Sequence, residues 1–134
     1  MVRVVVVSAR RKTARSRVIV REGKGRVLIN GIPLEVLEPE IIRYKIYEPV
    51  YLAGNEVISK VDIFAETEGG GLMGQASAIR TAIAQALVEW TGSEVLKELY
   101  SKYDRRLLVE DPRQTEPKKP GGRSARAKRQ KSYR

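Results

Sequence analysis

The sequence predicts an α+β domain of two layers, with about four mostly antiparallel strands backed by two to three helices and followed by an extended basic tail. Short alternating apolar segments separated by turn signals occupy the first 33 residues, which is typical of strands. Apolar residues recur every three to four positions after residue 72, which predicts helices. The last seventeen residues contain no acid and no apolar periodicity. We therefore expect a globular domain over residues 1–111 and a tail over residues 112–134.

The first three strands are predicted from β-branched segments and turns. Val2–Val7 is mostly valine and predicts a strand, whereas the cations of Ser8–Ser16 predict a basic loop. Arg17–Arg21 alternates between basic and apolar residues and predicts a second strand. Glycines at 23 and 25 predict a turn into a third strand, Arg26–Asn30, which the Asn30-Gly31 turn ends. Together these segments predict an antiparallel meander.

The centre of the chain predicts a helix and then a strand. Pro39 suits the first turn of a helix, so we expect a helix over 39–47, an interruption at Pro49 and a short second piece to Leu52. Glu56–Glu66 alternates and predicts a fourth strand with one buried face. Thr67–Gly71 ends in three consecutive glycines and predicts a flexible joint.

Two helices are predicted after this joint. The apolar stripe from Met73 to Trp90 is the clearest helical pattern of the chain, and Gly92 ends it. Ser93–Leu108 repeats the pattern, and Asp111-Pro112 ends this last helix.

The composition excludes several classes of site. The chain has no cysteine, so it has neither disulfides nor a thiolate zinc site. It has no histidine, which removes the commonest general base and metal ligand. No apolar run approaches the roughly 18 residues of a membrane span, and no signal peptide is visible. We therefore expect a soluble intracellular protein that uses neither a cofactor nor a metal.

The charges are segregated along the chain. The net charge is +10. Residues 1–26 carry nine basic residues and one acid, and residues 112–134 carry the same numbers. Residues 27–111 carry eight basic residues and fourteen acids. A cationic patch at each end of the chain predicts a polyanionic partner.

The tail is the stronger of the two basic segments. Its low apolar content predicts a segment that is disordered alone in water and orders on a phosphate-rich surface. Arginine matches phosphate oxygens bidentately and stacks on bases, which favours RNA. A solubility or localisation tail is the alternative. The predicted RNA-binding residues of the tail are Lys118, Lys119, Arg123, Arg126, Lys128 and Arg129.

The N-terminal cations form a second candidate site. Arg10, Arg11, Lys12 and Arg15 lie between two predicted strands, so a sheet would position them as a phosphate clamp. An ordinary solvated hairpin tip is the alternative.

The glycine segment Gly69–Gly74 has two readings. The glycines permit a sharp strand-to-helix turn, or they allow backbone contact with an RNA phosphate at a helix N-terminus. Gln75 follows Gly74 where a nucleotide-binding P-loop needs lysine, and no parallel βαβ unit is expected, which disfavours nucleotide binding.

The charged residues in the centre of the chain have structural interpretations as alternatives to binding roles. Asp62, Glu66 and Glu68 are expected to mark the solvent face and end of a strand in preference to a metal site. Arg80 lies on the predicted long helix and either reaches a phosphate or pairs with an acid; the sequence does not decide between them.

The whole chain resembles the universal ninth protein of the small ribosomal subunit, here called the S-nine family. The matching segments, in order, are Arg10–Ala14, Asn30–Glu35, Gly69–Gln75, Ala78–Arg80, Asp111–Arg113 and the tail from Lys118. The terminal Gln130–Arg134 is similar to the archaeal and eukaryotic branch, and the short N-terminus leans towards an archaeal source.

The resemblance implies a fold of the ribosomal protein S5 domain 2-like type. It also implies that the globular part binds small-subunit ribosomal RNA in the head of the subunit, beside other head proteins. The tail would thread towards the decoding centre and reach the anticodon stem-loop of the peptidyl-site transfer RNA. The residues expected at the transfer RNA are Lys131, Ser132, Tyr133 and Arg134.

The expected function is therefore that of a structural constituent of the small subunit, with a role in translation in the cytoplasm, and not that of an enzyme. Two alternatives stay open. The first is a non-ribosomal RNA-binding chaperone, and the second is a small nucleotide-binding phosphotransferase that uses the Gly69–Gly74 loop.

Overall fold

The computed structural model describes residues 3–110, 112–114, 117 and 120. In this part of the chain a five-stranded mixed sheet packs with one face against helices, which confirms the predicted α+β class. The strands are Val4–Arg11 (β1), Ala14–Glu22 (β2), Val27–Ile29 (β3), Ile32–Pro33 (β4) and Val61–Glu68 (β5). The helices are Glu40–Ala53 (α1), Asn55–Ile58 (α2), Leu72–Thr91 (α3) and Glu94–Tyr103 (α4). Single 3-10 turns span Leu34–Val36 and Arg105–Leu107.

The predicted basic loop at Ser8–Ser16 is wrong, because β1 and β2 pair without a break until Arg11 lies opposite Ala14. Only two residues turn the hairpin, and Lys12 adopts a left-handed φ of 56° there. The small residues Ala9, Ala14 and Ser16 are buried while Arg10 and Arg15 between them are exposed. Buried and exposed residues therefore alternate as in a strand, but the buried positions carry small residues and not large apolar ones.

The predicted meander is wrong after its first hairpin, because β5 inserts between β2 and β3. The strand order is β1-β2-β5-β3-β4, with β5 antiparallel to β2 and parallel to β3. The turn after β2 bonds to the start of β5, since the Gly23 N–H donates to the Lys60 carbonyl and the Gly25 N–H donates to the Val61 carbonyl. The link from β3 through α1 to β5 is therefore a parallel crossover, which was not expected.

The long helix α3 forms most of the layer behind the sheet. Its buried residues include Ala76, Ile79, Ile83 and Leu87, at the predicted helical spacing, and Gly92 ends it with a left-handed φ of 62°. The first turn of α3 begins at Leu72, within the glycine segment Gly69–Gly74. This helix therefore holds the glycine segment against the β1–β2 hairpin.

Three predicted boundaries differ from the structure. The helix α1 continues through Pro49, which is buried and whose carbonyl accepts a 2.7 Å hydrogen bond from the Tyr100 hydroxyl. The predicted strand from Glu56 begins only at Val61, because α2 precedes it. The last helix ends at Tyr103, because Asp104 is extended (φ −161°) and its carboxylate accepts from the Arg106 N–H to start a 3-10 turn.

Candidate nucleic-acid interface

Arg10 and Arg15 lie directly opposite each other on the exposed face of the sheet. They form a cross-strand pair, and Glu68 lies opposite Arg15 on the next strand. Like charges at directly opposed positions destabilise a strand pair unless another group compensates them. Glu68 compensates part of this repulsion, and the Glu110 carboxylate also borders the same surface, so the two arginines are exposed beside two acids.

The same face continues along β2 as a row of arginines, each of which lies opposite an acid of β5: Glu68, Glu66 and Asp62. Arg15, Arg17 and Arg21 all lie on the exposed face, and at about 3.3 Å per residue they span about 20 Å. The Arg21 guanidinium lies 4.7 Å from the centre of the Phe64 ring. This arginine–aromatic contact was not predicted, because Phe64 belongs to a strand forty residues away in the chain. We name Arg10, Arg15, Arg17 and Arg21 the hairpin face.

The structure separates the four predicted hairpin cations. Arg10 and Arg15 lie on the hairpin face, whereas Arg11 is half-buried on the opposite side, towards the helices. Lys12 lies in the turn and lines a cleft together with Arg11 and Lys45 of α1. The four residues therefore lie on two different surfaces. The position of Lys45 beside Arg11 and Lys12 could not be predicted from the sequence.

The segment after α4 runs back to the hairpin. The Gln85 side chain donates a 2.7 Å hydrogen bond to the Leu108 carbonyl and the Thr81 hydroxyl donates a 2.9 Å hydrogen bond to the Arg106 carbonyl. The Glu110 carboxylate then accepts from the Arg10 N–H at 3.1 Å, on the edge strand β1. The described residues at the start of the tail, Pro112–Gln114, therefore follow a segment that is bonded to the hairpin.

The residues of the tail lie almost wholly outside the described part of the chain. Arg113 is described, and its carbonyl accepts a 3.4 Å hydrogen bond from Arg11. The tail residues that lie outside the described residues are Lys118, Lys119, Arg123, Arg126, Lys128, Arg129, Lys131, Ser132, Tyr133 and Arg134. Their predicted contacts remain predictions.

The glycine segment packs against the hairpin turn. Gly69 has a φ of 77°, and a β-carbon there would lie 2.6 Å from the Thr13 carbonyl oxygen. A β-carbon at Gly70 would lie 3.0 Å from Ala14. Gly71, in contrast, has no atom within 4 Å of that position. The first two glycines are therefore needed for the turn and for close packing, and the third leaves open space at the start of α3.

Arg80 pairs with two acids, which answers the question the sequence left open. Its side chain is 9% exposed, and it contacts the Glu48 carboxylate at 2.7 Å and the Asp104 carboxylate at 3.1 Å. Burial raises the pKa of Asp104, but the Arg106 N–H and the Arg80 side chain together outweigh it and hold that pKa below its usual value. Arg80 therefore links α1, α3 and the turn after α4.

Asp62 is structural. Its side chain is 6% exposed and accepts from the Arg26 side chain at 3.0 Å and from the Lys24 and Arg26 N–H groups. The hydrogen bond from the Arg26 side chain is the largest influence, and it lowers the pKa of Asp62 to about 2. Among the described residues no cluster of acids could hold a metal ion. No helix within the described ranges is both long and apolar enough to span a membrane.

Comparison with known proteins gives one consistent family. The model of the family described as ribosomal protein S9/S16 matches residues 9–134. The small ribosomal subunit protein uS9 of Methanothrix thermoacetophila is 54% identical over 98% of this chain and 99% of its own length. The uS9 protein of Saccharolobus solfataricus is 53% identical over 98% of this chain and 96% of its own length. Both relatives are archaeal, in agreement with the predicted branch, and the chain belongs to the ribosomal protein S9/S16 family.

Proposed function

We propose that this chain is a structural constituent of the small ribosomal subunit and binds small-subunit ribosomal RNA with its hairpin face, Lys12 and its tail. The observation that carries the proposal is the position of Arg10 and Arg15. These two exposed arginines face each other across β1 and β2, next to the point where the chain enters its basic tail. Both cationic ends of the sequence can therefore engage one stretch of RNA backbone.

The proposed mechanism is electrostatic. The sheet fixes the hairpin arginines at defined spacing, and the nearby tail adds cations from Lys118 to Arg129. Each phosphate contact releases condensed counterions, so binding depends steeply on salt. Phosphate contacts of this kind position a protein on RNA without reading sequence, which suits a scaffold role in translation and requires no catalytic group, cofactor or metal.

Three more detailed proposals rest on the resemblance to the family: the fold type, the place in the subunit and the contact with transfer RNA. The domain, residues 1–111, is of the ribosomal protein S5 domain 2-like type and lies in the head of the subunit beside other head proteins, within cytoplasmic ribosomes. The last four residues, Lys131–Arg134, contact the anticodon stem-loop of the peptidyl-site transfer RNA. The names of the archaeal relatives support a place in the small subunit, and the basic composition of the tail supports a contact with RNA.

The salt dependence of binding tests the ribosomal RNA contact. If the full chain contacts about six phosphates of a transcript of the subunit head, the slope of log K against log salt is about −4 to −5. Replacing Arg10 and Arg15 together by glutamine should reduce this slope by about 1.5 to 2. The matched control replaces the exposed Lys97 and Lys102 of α4 in the same way and should change the slope by less than about 0.5. Equal losses in both variants would contradict a specific hairpin interface.

Removal of Lys131–Arg134 tests the transfer RNA contact. Subunits assembled with the truncated chain should sediment normally, because the domain and most of the tail are retained. Their retention of peptidyl-site transfer RNA should fall, since two cationic side chains and one stacking side chain are lost. A control chain with the same four residues scrambled keeps the charge and should retain more transfer RNA than the truncated one. Normal retention by the truncated subunits would exclude the proposed role of the tip.

A further inference from the structure

We infer that the cleft between the hairpin turn, the glycine segment and α1 is a binding site for a single phosphate group. We name it the phosphate cleft; its charged residues are Arg11, Lys12 and Lys45. This inference deepens the proposed RNA binding and rests on it for the source of the phosphate, which is either the RNA backbone or free phosphate.

The lining of the cleft favours an anion. The cleft has a volume of about 350 Å³, and none of its described lining residues is acidic. Two separate parts of the chain supply its cations: the hairpin contributes Arg11 and Lys12, and α1 contributes Lys45. Because these segments bring Lys12 and Lys45 to one cleft with no acid among its described lining residues, a bound anion would relieve their repulsion.

Lys45 is the cation of the cleft that most clearly favours a bound anion. It is half-buried, and among the described residues it makes no hydrogen bond or ion pair. Burial lowers its pKa and the charge of Arg80 lowers it further; Glu48 opposes Arg80, and the weaker effects of Arg11 and Asp104 also oppose each other. Glu48 and Asp104, the acids that line the adjoining cleft, are both bonded to Arg80. The nearby acids therefore already have a partner, and a phosphate is the group that would compensate Lys45.

The start of α3 adds neutral donors to these cations. Gly71 is the N-cap of this 20-residue helix, with no side-chain cap and no acid in the first turn. The first N–H groups of a helix have no intrahelical acceptor and attract anions. Gly71, Gly74 and Ser77 line the cleft, so the first turns of α3 and a hydroxyl-bearing side chain border the same space as the cations.

The class of ligand follows from these donors. Compact cations, backbone N–H groups and a hydroxyl suit the oxygens of a phosphate. None of the described lining residues is aromatic and able to stack on a base, so the geometry points to the phosphate of a nucleic-acid backbone or a free phosphate ion and not to a nucleotide held by its base.

The test uses the isotope-labelled full chain and three variants. Inorganic phosphate should shift the Gly71 and Gly74 amide signals of the unchanged chain and should raise the pKa of Lys45, since a nearby anion favours the charged form. Lys45→Gln should weaken this response at least about fivefold, a loss of about 1 kcal/mol. Lys45→Arg keeps the charge and should restore much of it, and the exposed control Lys97→Gln should leave it unchanged.

A second arm separates the two sources of phosphate. Lys45→Gln should reduce the salt slope for the ribosomal RNA transcript by about 1 if the ligand is a backbone phosphate. A response to inorganic phosphate with an unchanged RNA slope would assign the site to free phosphate. The absence of both effects, while the Arg10 and Arg15 variant still lowers the slope, would overturn the phosphate cleft and leave the proposed function standing. A slope near zero for the unchanged chain would refute the proposed function itself.

Discussion

Arg80 is a buried charged residue that joins three helical elements through ion pairs. Its guanidinium bonds to Glu48 on α1 and to Asp104 after α4, and its side chain is 9% exposed. Replacement by methionine fills much of the same volume but removes both ion pairs. We expect Arg80→Met to destabilise the domain and to loosen the segment that leads from α4 to the hairpin.

The size of this effect follows from the exposure of the two acids. Breaking a buried ion pair costs about 3–5 kcal/mol when the remaining charge stays buried. Glu48 and Asp104 are 37% and 40% exposed, so water can solvate them once Arg80 is gone. We therefore expect a loss of about 1.5–3 kcal/mol in the free energy of unfolding, or about 5–10 °C in Tm for a chain of this size.

Urea unfolding of the full chain measures this loss, with a surface ion pair as the control. Arg43 pairs with Glu40 at 3.4 Å, and Glu40 is 66% exposed, so Arg43→Met should cost less than about 1 kcal/mol. The lowered pKa of Asp104 stabilises the fold above its usual pKa, and this stabilisation is lost as the pH falls below it. Arg80→Met should weaken that acid sensitivity. An Arg80→Met chain no less stable than Arg43→Met would refute this account of the network.

Two further predictions concern the turns that hold the sheet together. The pKa of Asp62 is lowered to about 2, so its stabilisation is present above its ordinary pKa of 3.8 and is lost as the pH falls towards 2. Because water solvates the partner Arg26, whose side chain is 61% exposed, we expect about 1–2 kcal/mol, which acid titration of stability should detect in the unchanged chain and not in Asp62→Asn. Gly69→Ala should cost about 1–3 kcal/mol in urea unfolding, since its φ is 77° and its β-carbon would meet the Thr13 carbonyl. Gly71→Ala has open space and should change stability by less than about 0.5 kcal/mol; equal losses at both glycines would contradict the packing described here.

The long helix α3 was predictable because its signal is local. Ile79, Ile83 and Leu87 repeat at helical spacing and are all buried, and Gly92 ends the helix as expected. The hairpin was missed in part because its buried residues near the turn are Ala9, Ala14 and Ser16. Small residues carry little apolar contrast, so a paired strand was mistaken for a loop.

The order of the strands could not be predicted, because it depends on contacts between distant residues. The start of β5 bonds to the turn after β2, through Gly23, Gly25 and Asp62, across nearly forty residues of chain. Local turn chemistry correctly predicted a turn at Gly23–Gly25. It could not predict that the turn leads away from β2 instead of forming a second hairpin.

The candidate site was predictable in its residue types and not in its geometry. Arg10 and Arg15 were predicted together and do face each other on an exposed surface. Lys45 was missed, although its place between the buried Ile42 and Ile46 shows a cation at the edge of an apolar stripe. Lys45 lies near Arg11 only because of the way α1 packs in the folded domain. A local sequence pattern cannot predict this tertiary arrangement.

The central claim is that the end of the domain that carries the hairpin turn lies against ribosomal RNA. The chain has no cysteine, so a single cysteine can be introduced at Thr13 in the turn or at Glu98 on α4 and can carry a tethered iron chelate. Hydroxyl-radical cleavage of the RNA in assembled small subunits then reports proximity. We predict strong cleavage within a few nucleotide segments from Thr13→Cys and clearly weaker cleavage from Glu98→Cys. Cleavage of equal or greater strength from Glu98→Cys would contradict the claim.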